Sequence, residues 1–123
     1  MEPVQSICLM RALARALAEL ESALGEAFSL SLNEAMTLCA IAQERVPASF
    51  VSEKTGLSAS LTSRVVNALE DRGFVTRSLG REDRRQVFFE LTSEGSSLLA
   101  RLKEHPFVLP EFLQQLPLET LLS

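Results

Sequence analysis

A mainly helical, α+β chain with one two-stranded hairpin among its helices is what this sequence predicts. Three observations carry the prediction. Apolar residues recur every three or four positions through most of residues 4–72 and again over residues 93–104, the period of an α-helix. Between residues 74 and 91 the period shortens to two, with Val87, Phe89 and Leu91 alternating with Phe88 and Glu90. Four arginines, Arg77, Arg81, Arg84 and Arg85, crowd the connection between those two strands, in a chain with twelve basic and sixteen acidic side chains.

The bounds are those of one ordinary domain with helical extensions: 123 residues, 46% hydrophobic and 23% charged, enough for a core and too apolar for a disordered chain. No apolar run reaches the roughly 18 residues of a membrane span, and the opening MEPVQS is acidic, unlike a secretory leader, so a cytoplasmic protein is expected. Cys8 and Cys39 lack ligand-like spacing and read as small buried side chains in a reducing compartment. The single histidine, His105, sits in a Pro-flanked linker and reads as exposed. With no second His and no paired Cys, a metal site is not expected. No Gly-rich phosphate loop and no nucleophile–base set occurs, so neither catalytic residues nor a cofactor are expected, and the chain does not read as an enzyme.

The first helix covers Val4 to Phe28, with Val4, Ile7, Cys8, Leu13, Leu17, Leu20, Leu24 and Phe28 as its stripe and alanines between them. About twice the usual helix length, it suits packing against a partner chain. Ser31-Leu-Asn-Glu34 has the pattern of a capping box and opens a second helix through Arg45, with Ala35, Leu38, Cys39, Ile41 and Ala42 inward and Pro47 as its stop. A short third helix spans residues 49–55 and ends at Gly56. Ser58 caps a fourth, Ala59 to Arg72, closed by Gly73. Its apolar face is Leu61, Val65, Ala68 and Leu69; its other face is Ser60, Ser63, Arg64 and Asn67. Strands over residues 74–79 and 87–91 follow, and Thr92 caps a last helix, Ser93 to Glu104, with Leu98, Leu99 and Leu102 inward.

Two helices joined by a short Gly-containing turn, the second showing small hydroxyls, one guanidinium and one amide, have the layout of a helix-turn-helix. Small side chains let such a helix sit deep in the major groove, where Arg and Asn can read guanine and adenine edges. A polar helix face is more often merely solvated; the arginine hairpin directly after this one shifts the balance toward DNA.

Here the chain resembles the MarR family of winged helix-turn-helix transcription regulators. Gly56-Leu-Ser58 is similar to the family's turn, and Ser63-Arg64, Leu69 and Gly73-Phe-Val75 to its recognition helix and exit. Arg77, Asp83, Arg85, Leu91, Thr92 and Gly95 match the wing signature, Asp-x-Arg followed by Leu-Thr and Gly. The resemblance is close over residues 47–103. It implies a winged helix-turn-helix over residues 31–103, an N-terminal dimerisation helix over residues 1–30 and a C-terminal dimerisation segment over residues 104–123. It further implies a recognition helix at about residues 59–72 in the major groove and a wing at residues 77–87 whose arginine enters the minor groove, braced by Asp83, with Arg77 as that aspartate's expected partner. The DNA-binding set is then Ser58, Ser60, Ser63, Arg64, Asn67, Arg77, Arg81, Asp83, Arg84 and Arg85. The resemblance also implies a homodimer, a repressor role and release by a small aromatic or phenolic ligand bound near Phe28 and Met36. Ser52 and Thr55 depart from the family's apolar pattern and are expected to loosen the third helix, while Gly80 and Arg81 are expected to make the wing tip more flexible and more basic.

Charge partition agrees with a DNA partner. Residues 46–91 hold seven basic and six acidic side chains, whereas the remainder holds five and ten. The apolar tail Phe107, Val108, Leu109, Phe112, Leu113, Leu116, Leu118, Leu121 and Leu122 is too greasy to stay exposed in so small a domain and is expected to interleave with a second copy. The competing function is a winged helix that docks proteins and has no operator; it calls for aromatic or Met anchors on the fourth helix, where this chain has Ser, Arg and Asn.

Overall fold

The computed structural model describes residues 2–115; of the apolar tail, Leu116, Leu118, Leu121, Leu122 and the side chain of Phe112 lie outside the described set. The elements in order are α1 (Pro3–Phe28), α2 (Leu32–Ile41), β1 (Val46–Pro47), α3 (Ala48–Thr55), α4 (Ala59–Asp71), β2 (Val75–Leu79), β3 (Val87–Leu91), α5 (Ser93–Glu104) and α6 (Glu111–Gln114). They form two compact units, one containing residues 2–29 with 106–115 and the other residues 30–105.

In the first unit α1 runs 26 residues, one residue earlier than its apolar stripe predicts. Glu2 and Gln5 supply the start, the Gln5 N–H donating to Glu2 Oε1 at 2.7 Å and the Glu2 N–H to Gln5 Oε1 at 3.3 Å, with Pro3 at the first turn where no N–H is needed. Ser29 ends the helix in the left-handed region at φ 55°. Much of its apolar surface stays open: Val4, Ile7 and Met10 are each more than 60% exposed. Phe107 places its ring 6.2 Å from that of Phe28.

The second unit holds the core. The capping box forms as expected, Glu34 N–H to Ser31 Oγ at 3.1 Å and Ser31 N–H to Glu34 Oε1 at 2.8 Å. But α2 stops at Ile41, four residues short of Arg45, because Ala42 turns out of the helix at φ 51°. That frees Val46 and Pro47 to extend and pair with Phe89 and Phe88. The expected hairpin of β2 and β3 is present, and β1 adds a short third strand beside β3, giving the order β1-β3-β2. A β-branched residue and a proline locked near φ −71° both favour the extended backbone.

Leu38, Ile41, Val51, Val66, Leu69, Val75 and Leu98 are all within 2% of full burial, and each such aliphatic side chain contributes about 1.5–3 kcal/mol. Helix α4 is turned relative to expectation. Thr62 and Val66 join Val65 and Leu69 inside, while Leu61 is half-buried and Ala68 exposed. A complete Schellman motif closes it: Gly73, at φ 81°, donates to Glu70 O at 2.9 Å and Phe74 to Leu69 O at 3.0 Å. Leu98, Leu99 and Leu102 of α5 are buried as expected. The start of α5 is pinned to the exit of α4 by the Thr92 hydroxyl, which donates to Gly73 O at 2.6 Å and accepts from the Gly95 N–H at 3.0 Å.

Two expectations about small residues are reversed. The Ser52 hydroxyl donates to Leu57 O at 2.6 Å, and Thr55 Oγ1 donates to Val51 O at 2.8 Å while accepting from the Leu57 N–H at 3.2 Å. These hydroxyls knit the turn between α3 and α4, where the sequence suggests a looser core. Cys8 and Cys39 are exposed, not buried. Cys39 turns outward because Leu38 and Ile41 already fill the inner face of α2; its sulfur is nonetheless desolvated enough to push the thiol above its ordinary value, against the pull of Lys103. His105, expected to be exposed, is half-buried at the end of α5.

Candidate nucleic-acid interface

Helix α4 presents Ser60, Ser63, Arg64 and Asn67 to the exterior, all exposed and one or two turns apart on one face. Ser58 stands at its N-cap, where its hydroxyl accepts the Leu61 N–H at 3.1 Å; its side chain is thus engaged in starting the helix. The face is assembled from small groups around one guanidinium, the shape that allows close approach of the helix backbone to a groove.

The wing leaves the same unit through an antiparallel ladder in which Arg77 lies opposite Phe89 and Leu79 opposite Val87. Arg81, Glu82, Asp83, Arg84 and Arg85 are exposed at its tip. The loop is tied by two backbone bonds, Gly80 N–H to Gln86 O at 2.8 Å and Gln86 N–H to Asp83 O at 3.1 Å. Gly80 is required there, since a Cβ would stand 2.4 Å from the Asp83 carbonyl oxygen; it serves a tight turn where the sequence suggests a looser one.

Asp83 braces a wing arginine, but not the expected one. Its Oδ1 accepts from the Arg85 backbone N–H at 3.0 Å and from Arg85 Nε at 3.2 Å. Arg77 looks the other way. It pairs through Nε with Glu70 Oε1 at 3.2 Å, its Nη2 donates to Asn67 Oδ1, and its guanidinium lies 5.6 Å from the Phe89 ring. The reason is strand alternation: Arg77 shares a strand face with Val75, which is buried in the core, whereas Asp83 belongs to the tip beyond Leu79. The Asp83–Arg85 pair is open to water, Arg85 being 93% exposed, so it orients the side chain more than it stabilises the fold.

Arg45 is a residue the sequence reading missed. Its guanidinium stacks 3.9 Å from the Phe88 ring, Nε donates to Ser78 Oγ at 3.0 Å and Nη2 to Leu79 O at 3.2 Å. It thereby holds the wing from the side opposite α4. No local signal marks it, because its partners lie 33 and 34 residues away. Arg72, at the end of α4, pairs with Glu34 at 3.5 Å and lies 5.2 Å from the Phe74 ring.

Between α3, α4 and the sheet opens a groove of about 490 Å³, its walls including Ser52, Glu53, Thr62, Ser63, Arg77 and Phe89. Phe28 belongs to the first unit and Met36, half-buried, to the second. Among the described residues no cluster of three metal-binding side chains occurs, and no helix is long and apolar enough to cross a membrane.

Comparison with known proteins agrees with this architecture. Residues 28–86 match the model of the MarR family. Over 54 residues the chain is 41% identical to YfiV, an uncharacterized HTH-type transcriptional regulator of Bacillus subtilis, a match covering 44% of this chain and 34% of that protein, about a third of its length. BpsR of Bordetella bronchiseptica, whose DNA binding is regulated by 6-hydroxynicotinic acid, is 26% identical and superposes with a TM-score of 0.71 over 83% of this chain and 76% of its own. AbsC of Streptomyces coelicolor, a MarR family transcriptional regulator, shares the fold with a TM-score of 0.76 at 22% identity, covering 100% of this chain and 92% of its own. With the helix-turn-helix, the Asp-x-Arg wing and these likenesses together, residues 28–86 of the chain are a MarR-family segment, of the winged helix-turn-helix kind found in transcriptional regulators.

Proposed function

We propose that this chain is a sequence-specific double-stranded-DNA-binding repressor that works in the cytoplasm as a homodimer. The observation that carries the proposal is the junction of two exposed surfaces in one compact unit: the α4 face with Ser60, Ser63, Arg64 and Asn67, and the arginine wing, linked at the Arg77–Asn67 contact. Helix α4 enters the major groove, where Arg64 reads a guanine edge. Arg85, held by Asp83, enters the adjacent minor groove, whose narrow A·T-rich stretches concentrate negative potential. Arg81 and Arg84 contact phosphates. An acidic chain tolerates this because attraction to phosphate is local, decaying over a Debye length of about 8 Å in physiological salt.

Two copies join through α1 and the C-terminal segment, placing two recognition helices on a pseudo-palindrome. The open apolar surface of α1 supports this reading. A small aromatic or phenolic anion releases DNA by favouring a different spacing of the two recognition helices; support comes from BpsR, whose DNA binding is regulated by 6-hydroxynicotinic acid.

The test is selection of duplexes from a randomised library, followed by anisotropy titration of the selected duplex at several salt concentrations. Tight binding with a log–log salt slope of roughly −0.9 per neutralised phosphate is expected. Absence of salt-dependent binding to any duplex overturns the proposal and leaves the protein-docking alternative.

A further inference from the structure

The contact between Arg77 and Asn67 does more than join wing to helix. An asparagine amide on an exposed helix face turns easily about its last bond, and its oxygen and nitrogen ends then exchange places. When it makes a single hydrogen bond to a base, such a side chain can offer either end and discriminates poorly. Here the exchange is blocked. A guanidinium carries only donors, so the amide must turn Oδ1 toward Arg77 Nη2 and leave Nδ2 on the other side. Arg77 is in turn held in place by Glu70, one helical turn beyond Asn67, and by the Phe89 ring beneath it. Glu70 also offsets the charge of Arg77, so this corner of the interface presents little net attraction to phosphate.

We infer that Arg77 is a positioning residue for base reading: it fixes the Asn67 amide with its N–H donors outward, and so sets which base edge α4 accepts at that point. The favoured base presents an acceptor there, such as N7 or O6 of guanine, N7 of adenine or O4 of thymine, and cytosine, which presents the N4 amino donor, is refused. The wing root thus acts on specificity through the recognition helix, distinct from the phosphate and minor-groove roles of the tip. The inference rests on the DNA-binding reading above.

The test uses the full chain and the duplex selected by the wild-type protein, with every single base-pair substitution. The position at which Asn67→Ala loses discrimination identifies the base that Asn67 reads. At that position the wild type should reject cytosine by about 5- to 100-fold. Arg77→Ala should cut this to within about threefold there and nowhere else, leave the salt slope unchanged, and cost nothing further in the Asn67→Ala background. Arg77→Gln, whose amide can accept as well as donate, no longer dictates which end of the Asn67 amide faces it and should lose the same discrimination. A uniform loss on all duplexes with the salt slope falling by about one unit makes Arg77 a phosphate contact and overturns the inference while the DNA-binding reading stands. Discrimination left intact by both variants also overturns it. Failure of the wild type to bind any duplex overturns the reading and the inference together.

Discussion

At the scale of single residues, the interface separates arginines by what holds them. Arg85 is tethered to Asp83 through both its backbone and its side chain, so its guanidinium is aimed before any ligand arrives. Replacing Asp83 with alanine removes a negative charge, which by Coulomb attraction alone should tighten binding to DNA. The expected outcome is weaker binding, because the tether is lost; anisotropy titration that shows tighter binding means the tip is a solvated run of mixed charge. Arg84→Ala should weaken binding to all sequences and reduce the salt slope by about one unit for each site occupied. Arg64→Ala should instead cost about 1–3 kcal/mol on the preferred duplex and little on random DNA. Measuring both duplexes at matched salt separates the two behaviours.

At the scale of elements, the unit depends on close backbone approaches that only glycine permits. Gly95, in the first turn of α5, faces the exit of α4 so closely that a Cβ would stand 2.0 Å from the Phe74 carbonyl oxygen. That carbonyl also accepts the Thr92 N–H at 3.0 Å, so it cannot move without breaking the junction between sheet and helix. Gly95→Ala should cost about 3 kcal/mol and lower Tm by on the order of 10 °C. Gly25 gives the control: nothing lies within 4 Å of a Cβ there and the residue is helical, so Gly25→Ala should stabilise α1 by about 0.5–1 kcal/mol. Thermal unfolding followed by circular dichroism reads both, and equal effects of the two substitutions would refute the close-approach argument.

At the scale of the whole molecule, the large apolar residues that α1 leaves exposed lie in its first two-thirds, Val4, Ile7, Leu9 and Met10 near its start and Leu17 at its middle. A chain carrying so much apolar surface on one element is expected to sediment as a dimer at micromolar concentration, and removal of residues 106–123 should shift it toward monomer or reduce its solubility. A monomer that remains soluble and monodisperse at that concentration contradicts the dimer reading. A panel of small aromatic acids should raise Tm and lower affinity for the selected duplex together, since a ligand that shifts the equilibrium must bind the two states unequally. Thermal shifts without any change in DNA affinity would break that link.

The helix boundaries of α1, α3, α4 and α5, the two long wing strands and the polar face of α4 were legible in the sequence, because period, caps and turn residues are local signals carried within a few positions. Ser31 with Glu34, Ser58, Gly73 and Thr92 each act where their types suggest. What only the tertiary structure decided involves partners distant along the chain or choices among equals. Val46 and Pro47 are too short a run to show a period, and they become a strand only because Phe88 and Phe89 are there to pair with. Arg45 stacks on Phe88 across a separation no pattern reports. Arg77 has carboxylates both in α4 and at the wing tip within sequence reach, and strand alternation together with the rotation of α4 gives it Glu70 and Asn67. Residue types determined which polar and basic groups α4 and the wing offer; the packing of β2 against α4 decided which of them hold one another in place.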